Sequence, residues 1–127
     1  MSIEVINNYI LFFYNLSGMR AGNHTRLYEL KNQSLKEVNV YDNFQALLGQ
    51  KMVKHFGKDC YLGPDFQIKS YGSRMDVIFS VYKADDAECC SSGFVKFSTV
   101  DFISIEPSTL MVGKNAGDGS VHSWKQY

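Results

Sequence analysis

The apolar positions of this chain follow two periods, and the clearer one is helical. From residue 42 to residue 56, apolar side chains recur at steps of three and four, which places them on one helical face. Asp42 stands where an N-cap belongs, and Gly57 follows as a C-terminal stop. The pattern predicts a helix over 42–56. Its buried face would consist of Phe44, Leu47, Leu48, Met52 and Phe56.

Beyond residue 63 the apolar residues alternate with polar ones, as in half-buried strands. We predict strands over 66–71 and 74–82, joined by a short Gly-Ser hairpin turn. The apolar run over 94–106 is longer than an average strand and should bend near residues 98–100. It is expected to pair antiparallel with 74–82.

Residues 2–17 fit two patterns. A helical stripe is possible, with Ser2 and Gly18 as caps. Its members are Ile6, Tyr9, Ile10, Phe13 and Leu16. The alternation over 10–16 and the many β-branched and aromatic residues also fit a strand. We favour a helix over 2–17 and keep the strand as the alternative.

Three shorter segments complete the assignment. Residues 24–31 alternate and predict a strand. The run SLKE at 34–37 has the spacing of a capping box, so the main helix would start earlier if that box were used. The Gly-rich residues 113–120 predict a loop, and 121–127 a last strand or a tail.

These elements predict an α+β fold. The chain has 127 residues, which suits a single domain over 1–127, and 45% of them are hydrophobic, which is enough for a core. We expect one antiparallel sheet packed against one or two helices. Its strands would be 24–31, 66–71, 74–82 and 94–106, and the helices 2–17 and 42–56.

Charge and composition exclude several classes of protein. The 13 basic and 13 acidic side chains cancel, which argues against direct nucleic-acid binding. The apolar run over 9–14 is too short to cross a bilayer, and no basic residue precedes Arg20 as in a signal peptide. Three cysteines are an odd number without framework spacing. We therefore expect a cytoplasmic protein with reduced thiols and no membrane association.

The stretch ADDAECCSSG, residues 84–93, is the most unusual in composition. Adjacent Cys89 and Cys90 suit neither a mutual disulfide nor a zinc site, because zinc ligands need wider spacing. The neighbouring carboxylates lack EF-hand spacing. They should also raise a nearby thiol pKa, which disfavours cysteine catalysis. We expect no metal and no cofactor, and interpret the stretch as a hairpin loop before a strand.

Two other groups were weighed as sites. The order of residues in GKNAGDGS is wrong for a phosphate-binding loop. The positions Lys51, Lys54 and Lys58, with His55, form a basic helix face that is solvated or meets an acidic partner or a phosphate backbone. No catalytic constellation is legible.

A small protein of this kind without visible catalytic residues suits a non-enzymatic inhibitor that covers a partner enzyme. A toxin immunity protein or a phage anti-defence protein is the favoured class. Partner clefts that act on nucleic acid are basic, so the hypothesis assigns the contact to an acidic surface. That surface comprises Asp85, Asp86, Glu88 and Asp76. The alternatives are a small enzyme or ligand-binding domain with a site assembled in space, and a structural subunit of a larger assembly.

Overall fold

The computed structural model describes residues 2–16, 22–86, 91–117 and 120–127, with side chains left out at 15, 16, 22, 23 and 122. The described chain is α+β and dominated by two antiparallel sheets, which confirms the predicted class. It divides into two compact units, residues 1–40 and 41–127, which are described separately. The single domain over 1–127 stays a prediction.

The first unit is a four-stranded meander in the order β1-β2-β3-β4. Its strands are β1 (Ser2–Ile6), β2 (Tyr9–Leu16), β3 (Gly22–Lys31) and β4 (Ser34–Val38). The strand predicted over 24–31 is therefore confirmed as β3, but it belongs to a sheet separate from the later strands.

The helix predicted over 2–17 is wrong, because this segment is the β1–β2 hairpin. Asn7 adopts a positive φ of 54° at the turn, a conformation that asparagine tolerates better than most residues. A turn with positive φ angles also explains why the capping box at 34–37 does not start a helix. Asn32 and Gln33 have φ values of 52° and 64°, and two successive positive φ angles make the tight hairpin that joins β3 to β4.

The second unit contains one long helix and a five-stranded sheet in the order β5-β6-β7-β8-β9. The helix, α1 (Val40–Phe56), begins at the boundary between the units and ends at Gly57, whose φ of 95° makes it the predicted stop. The strands are β5 (Tyr61–Tyr71), β6 (Arg74–Tyr82), β7 (Gly93–Thr99), β8 (Met111–Asn115) and β9 (Val121–Gln126).

The core of the second unit lies between α1 and one sheet face. Phe44 of the helix lies 4.6 Å from Phe97, ring centre to ring centre, and Phe97 stacks on Phe79 at 6.3 Å. Leu48 is also fully buried. Leu47, which the helical pattern assigned to the core, is 49% exposed. The buried stripe follows steps of four and is narrower than predicted.

The strand predicted over 94–106 ends at Thr99, so its second half is wrong although the bend is where it was expected. The Thr99 hydroxyl accepts the Phe102 N–H at 3.0 Å and donates to the Ser104 carbonyl at 2.7 Å. The Asp101 carboxylate accepts the N–H groups of Ile103 and Ser104, each at 2.9 Å. These local bonds compete with strand pairing and turn the chain.

A 3₁₀ turn, Pro107–Thr109, follows this bend. The loop predicted over 113–120 is wrong at its start, because β8 continues to Asn115. Pairing with β7 explains this: Gly113 lies opposite Phe94, where a glycine fits beneath neighbouring side chains. The last strand is β9, as one of the two alternatives for 121–127 predicted.

Candidate functional site

The acidic loop joins β6 to β7, and one of its carboxylates is engaged inside the loop. Asp86 accepts the backbone N–H of Lys83 at 2.8 Å and the hydroxyl of Ser92 at 2.6 Å. Two hydrogen bonds lower the pKa of Asp86. The larger effect comes from the Lys83 N–H and the smaller one from the Ser92 hydroxyl. Asp86 thus closes the turn.

The other acidic positions are dispersed along the sheet. Asp85 is exposed at the turn. Asp76 lies on β6 opposite Ser98, whose hydroxyl donates to it at 2.5 Å. Glu88, with Cys89 and Cys90, lies outside the described residues. The structure therefore leaves the acidic contact surface a prediction, with Asp85 as its one carboxylate both exposed and described.

The basic helix face is organised by an aromatic ring. The Nζ atoms of Lys51 and Lys54 lie 5.3 and 5.2 Å from the centre of the Tyr127 ring, and His55 packs on the same ring at 5.3 Å. Cations at this distance from a ring are attracted to it. Lys58 is exposed beyond the end of α1. The predicted basic face is thus partly covered by Tyr127.

Side chains that could bind a metal ion are scattered in the part of the chain that the structure describes. There, no three His, Cys, Asp or Glu side chains are grouped closely enough to hold an ion. Cys60 is a free, half-buried thiol, and burial raises its pKa above the ordinary value.

Among the described segments, none is a helix with the length and hydrophobicity that a bilayer crossing requires.

An apolar surface that the sequence did not single out lies on the first sheet. The register of β1–β4 places two sets of side chains on opposite faces. One set includes the buried Ile6, Tyr9, Leu11 and Leu27, with exposed polar residues toward its edges. The other is exposed or half-buried, and we call it the apolar face. It consists of Ile3, Val5, Ile10, Phe12, Tyr14, His24, Arg26, Tyr28, Leu30, Leu35 and Glu37.

The centre of the apolar face is a shallow groove of about 350 Å³. Its lining comprises Phe12, Tyr14, Arg26, Tyr28 and Leu35. The Phe12 and Tyr28 rings meet edge to face with centres 5.4 Å apart, a favourable aromatic geometry.

Arg26 is held at one side of this groove. Its Nε donates to the Tyr14 hydroxyl at 3.1 Å, and its Nη1 lies 3.5 Å from a carboxylate oxygen of Glu37. Hydrogen bonding to Tyr14 and Tyr28 raises the Arg26 pKa, and the Glu37 charge adds to this. Both partners of the ion pair are about half exposed, so the pair contributes little to stability. Its effect is to orient the guanidinium and to neutralise the face.

The pattern in the sequence that could have revealed this face is the alternation of residues 10–14. Ile10, Phe12 and Tyr14 are half-buried on one side of β2, and they alternate with residues of the other side, where Tyr9 and Leu11 are buried. A strand assignment would have separated the two sets. The helical stripe instead combined Ile10 with Tyr9 of the opposite face and left out Phe12 and Tyr14.

Comparison with known proteins adds no assignment. No protein-family model matches this chain, and neither a curated protein nor a solved structure shows significant similarity to it.

Proposed function

We propose that this chain is a small non-enzymatic protein that binds another protein through the apolar face and inhibits it by covering its surface. The observation that carries the proposal is the exposed apolar and aromatic side of the first sheet. Leu30 and Leu35, which lie opposite each other on β3 and β4, are 49% and 51% exposed.

The size of the face supports a protein partner. Four strands about 4.8 Å apart, each about six residues long with a rise of about 3.3 Å, present roughly 400 Å². Most side chains of this face are apolar or aromatic, and its extent is within the range of about 300–600 Å² that the largest apolar patches of monomers span, which are often functional. A standard interface covers about 800 Å² on each partner, so the face would form the centre of the contact.

The composition of the face points the same way. Protein interfaces are enriched in Tyr, Phe and Arg at their centres, and depleted of Lys and Asp. The groove has Phe12, Tyr14 and Tyr28 around Arg26, and neither lysine nor aspartate belongs to the apolar face. Because Glu37 balances Arg26, the matching surface on the partner would be apolar and nearly neutral.

This assignment refines the hypothesis of an acidic contact. Burial of the apolar face would supply the affinity, while exposed Asp85 would at most speed the encounter with a basic partner. We keep the inhibitor class, a toxin immunity or phage anti-defence protein, as the finer proposal. Its support is the small size of the chain and the absence of a legible catalytic constellation in its sequence.

The test starts with copurification of the tagged protein from its native host, followed by surface plasmon resonance with the isolated partner. Leu35→Ser removes a half-exposed groove side chain without disturbing a core. It should weaken binding about four- to tenfold, since covering the exposed half of a leucine is worth about half of the 1.5–3 kcal/mol for full burial. Leu47→Ser is the matched control, because Leu47 is 49% exposed on α1. Equal affinities for the two variants would remove the apolar face from the interface.

A second pair of measurements separates the remaining possibilities. Asp85→Asn should slow association only if the acidic loop meets the partner, and an unchanged on-rate at low salt would exclude that loop. The inhibitor class further requires that the bound partner loses its activity. A partner that stays fully active, or a chain that only self-associates through the same face, would refute inhibition.

A further inference from the structure

We infer that the second unit carries a binding site for a small phosphate ester, in a cavity formed by the last turn of α1 and strands β8 and β9. The cavity has a volume of about 300 Å³, at the lower end of the range for ligand sites. Its lining comprises His55, Phe56, Val112, Gly113, Lys114, Ser123 and Lys125.

The polar side of this cavity suits an anion. Lys114 comes from β8 and Lys125 from β9, and His55 adds a third basic group from α1. None of the described lining residues has a carboxylate. Two ammonium groups, the Ser123 hydroxyl and an imidazole N–H can together serve the several acceptor oxygens of a phosphate.

The remaining lining suits a small apolar group on the ester. Phe56 and Val112 are buried, and Gly113 adds backbone without a side chain. A cavity of about 300 Å³ accommodates a phosphate with one ring or a short alkyl group, but no large ligand. The combination of basic and apolar walls favours an organic phosphate over the inorganic ion.

The helix dipole of α1 explains part of the positive charge around this cavity, but it is too weak to explain all of it. The C-terminus of a helix carries about half a negative charge and attracts nearby cations. That accounts for Lys54 and His55 in the last turn of α1. Lys114 and Lys125 bring two further positive charges from the sheet, so the site remains net positive. Burial, and then the charge of Lys54, lower the pKa of His55, in agreement with a positive field.

The experiment titrates the full chain with phenyl phosphate, inorganic phosphate and phenol, using calorimetry and the imidazole resonances of His55. Phenyl phosphate should bind at one site with a Kd of about 1 mM or tighter. Inorganic phosphate should bind more weakly, and phenol not measurably. The bound phosphate should raise the pKa of His55, which burial and then the charge of Lys54 lower in the free protein.

Variants decide whether the cavity is responsible. Lys114→Gln combined with Lys125→Gln should weaken phenyl phosphate binding at least tenfold. The control, Lys36→Gln with Lys69→Gln, removes the same charge from exposed positions elsewhere and should have no effect. Amide spectra check that both proteins are folded. Equal weakening in both pairs would show general screening, and inorganic phosphate binding as tightly as the ester would show adventitious anion binding. Either result, or no saturable binding at 10-fold the expected Kd, refutes the site.

Discussion

Two glycines of the second unit should respond in opposite directions to the same substitution. Gly93 begins β7 at the point where the last turn of α1 crosses the sheet. A Cβ atom added to it would collide with the Gly113 carbonyl oxygen and would lie 2.5 Å from Phe56 Cε1. Gly49 lies inside α1, and a Cβ added there meets no atom within 4 Å. Neither glycine has a positive φ.

The magnitudes follow from these surroundings. Alanine in a helix interior is favoured over glycine by about 0.8–1.0 kcal/mol, so Gly49→Ala should stabilise by about that amount. Gly93→Ala gains about 0.5–1 kcal/mol from the less flexible unfolded chain. Overpacking against a paired strand and a buried ring costs about 1–3 kcal/mol or more, so the net effect should be destabilisation by about 1–2 kcal/mol.

Thermal and urea unfolding, followed by circular dichroism, measure both variants. Both positions belong to the second unit, so they report on the same packing of α1 against β5–β9. At about 4 °C per kcal/mol, the two Tm values should differ by roughly 10 °C. Gly57→Ala is a useful third variant, because its φ of 95° should make alanine unfavourable although no atom is close. A Gly93→Ala protein as stable as the wild type would refute the close approach of Phe56 to β7.

Three further outcomes are expected. Leu48→Asp should lower the free energy of unfolding strongly and Lys51→Asp little, since Leu48 is fully buried. Equal melting temperatures for the two variants would refute the placement of Leu48 on the buried face of α1. Cys60 should react slowly with a thiol reagent at neutral pH, because burial raises its pKa, and all three cysteines should react after denaturation without reductant; peptide mass spectrometry checks both. Burial raises the pKa of Asp101, but hydrogen bonds from Ser104 and Ile103 outweigh it and the net pKa is lowered. Its stabilising effect is therefore present above the unfolded value of 3.8 and lost as the pH falls through the folded pKa, so Asp101→Asn should flatten the acid limb of a pH–Tm profile.

The elements that the sequence predicted well are those with strong local patterns. The helix ends at Phe56 as expected, because Gly57 can take the left-handed conformation that terminates it. Strand β6 alternates cleanly, with Met75, Val77, Phe79 and Val81 all buried, so its bounds were predicted to the residue. In both elements the local preference and the packing agree.

The failures occurred where a turn decided the structure. Residues 2–17 carry enough apolar side chains for either element, and the positive φ of Asn7 selects the hairpin. Once β1 and β2 pair, their side chains separate onto two faces, and one of these is the apolar face. Because residues 2–17 were assigned to a helix, the candidate binding surface was not recognised from the sequence.

The amino-acid sequence alone determined the α+β class, the position of α1 and the β6–β7 pairing, because hydrophobic periodicity and glycine stops act over a few residues. Tertiary structure alone decided which distant side chains meet. Arg26 reaches Tyr14 only through the β2–β3 register, and Lys114 joins Lys125 and His55 only through the packing of α1 on the sheet. Both candidate sites depend on such long-range pairings, and periodicity within a single segment contains no information about its partner.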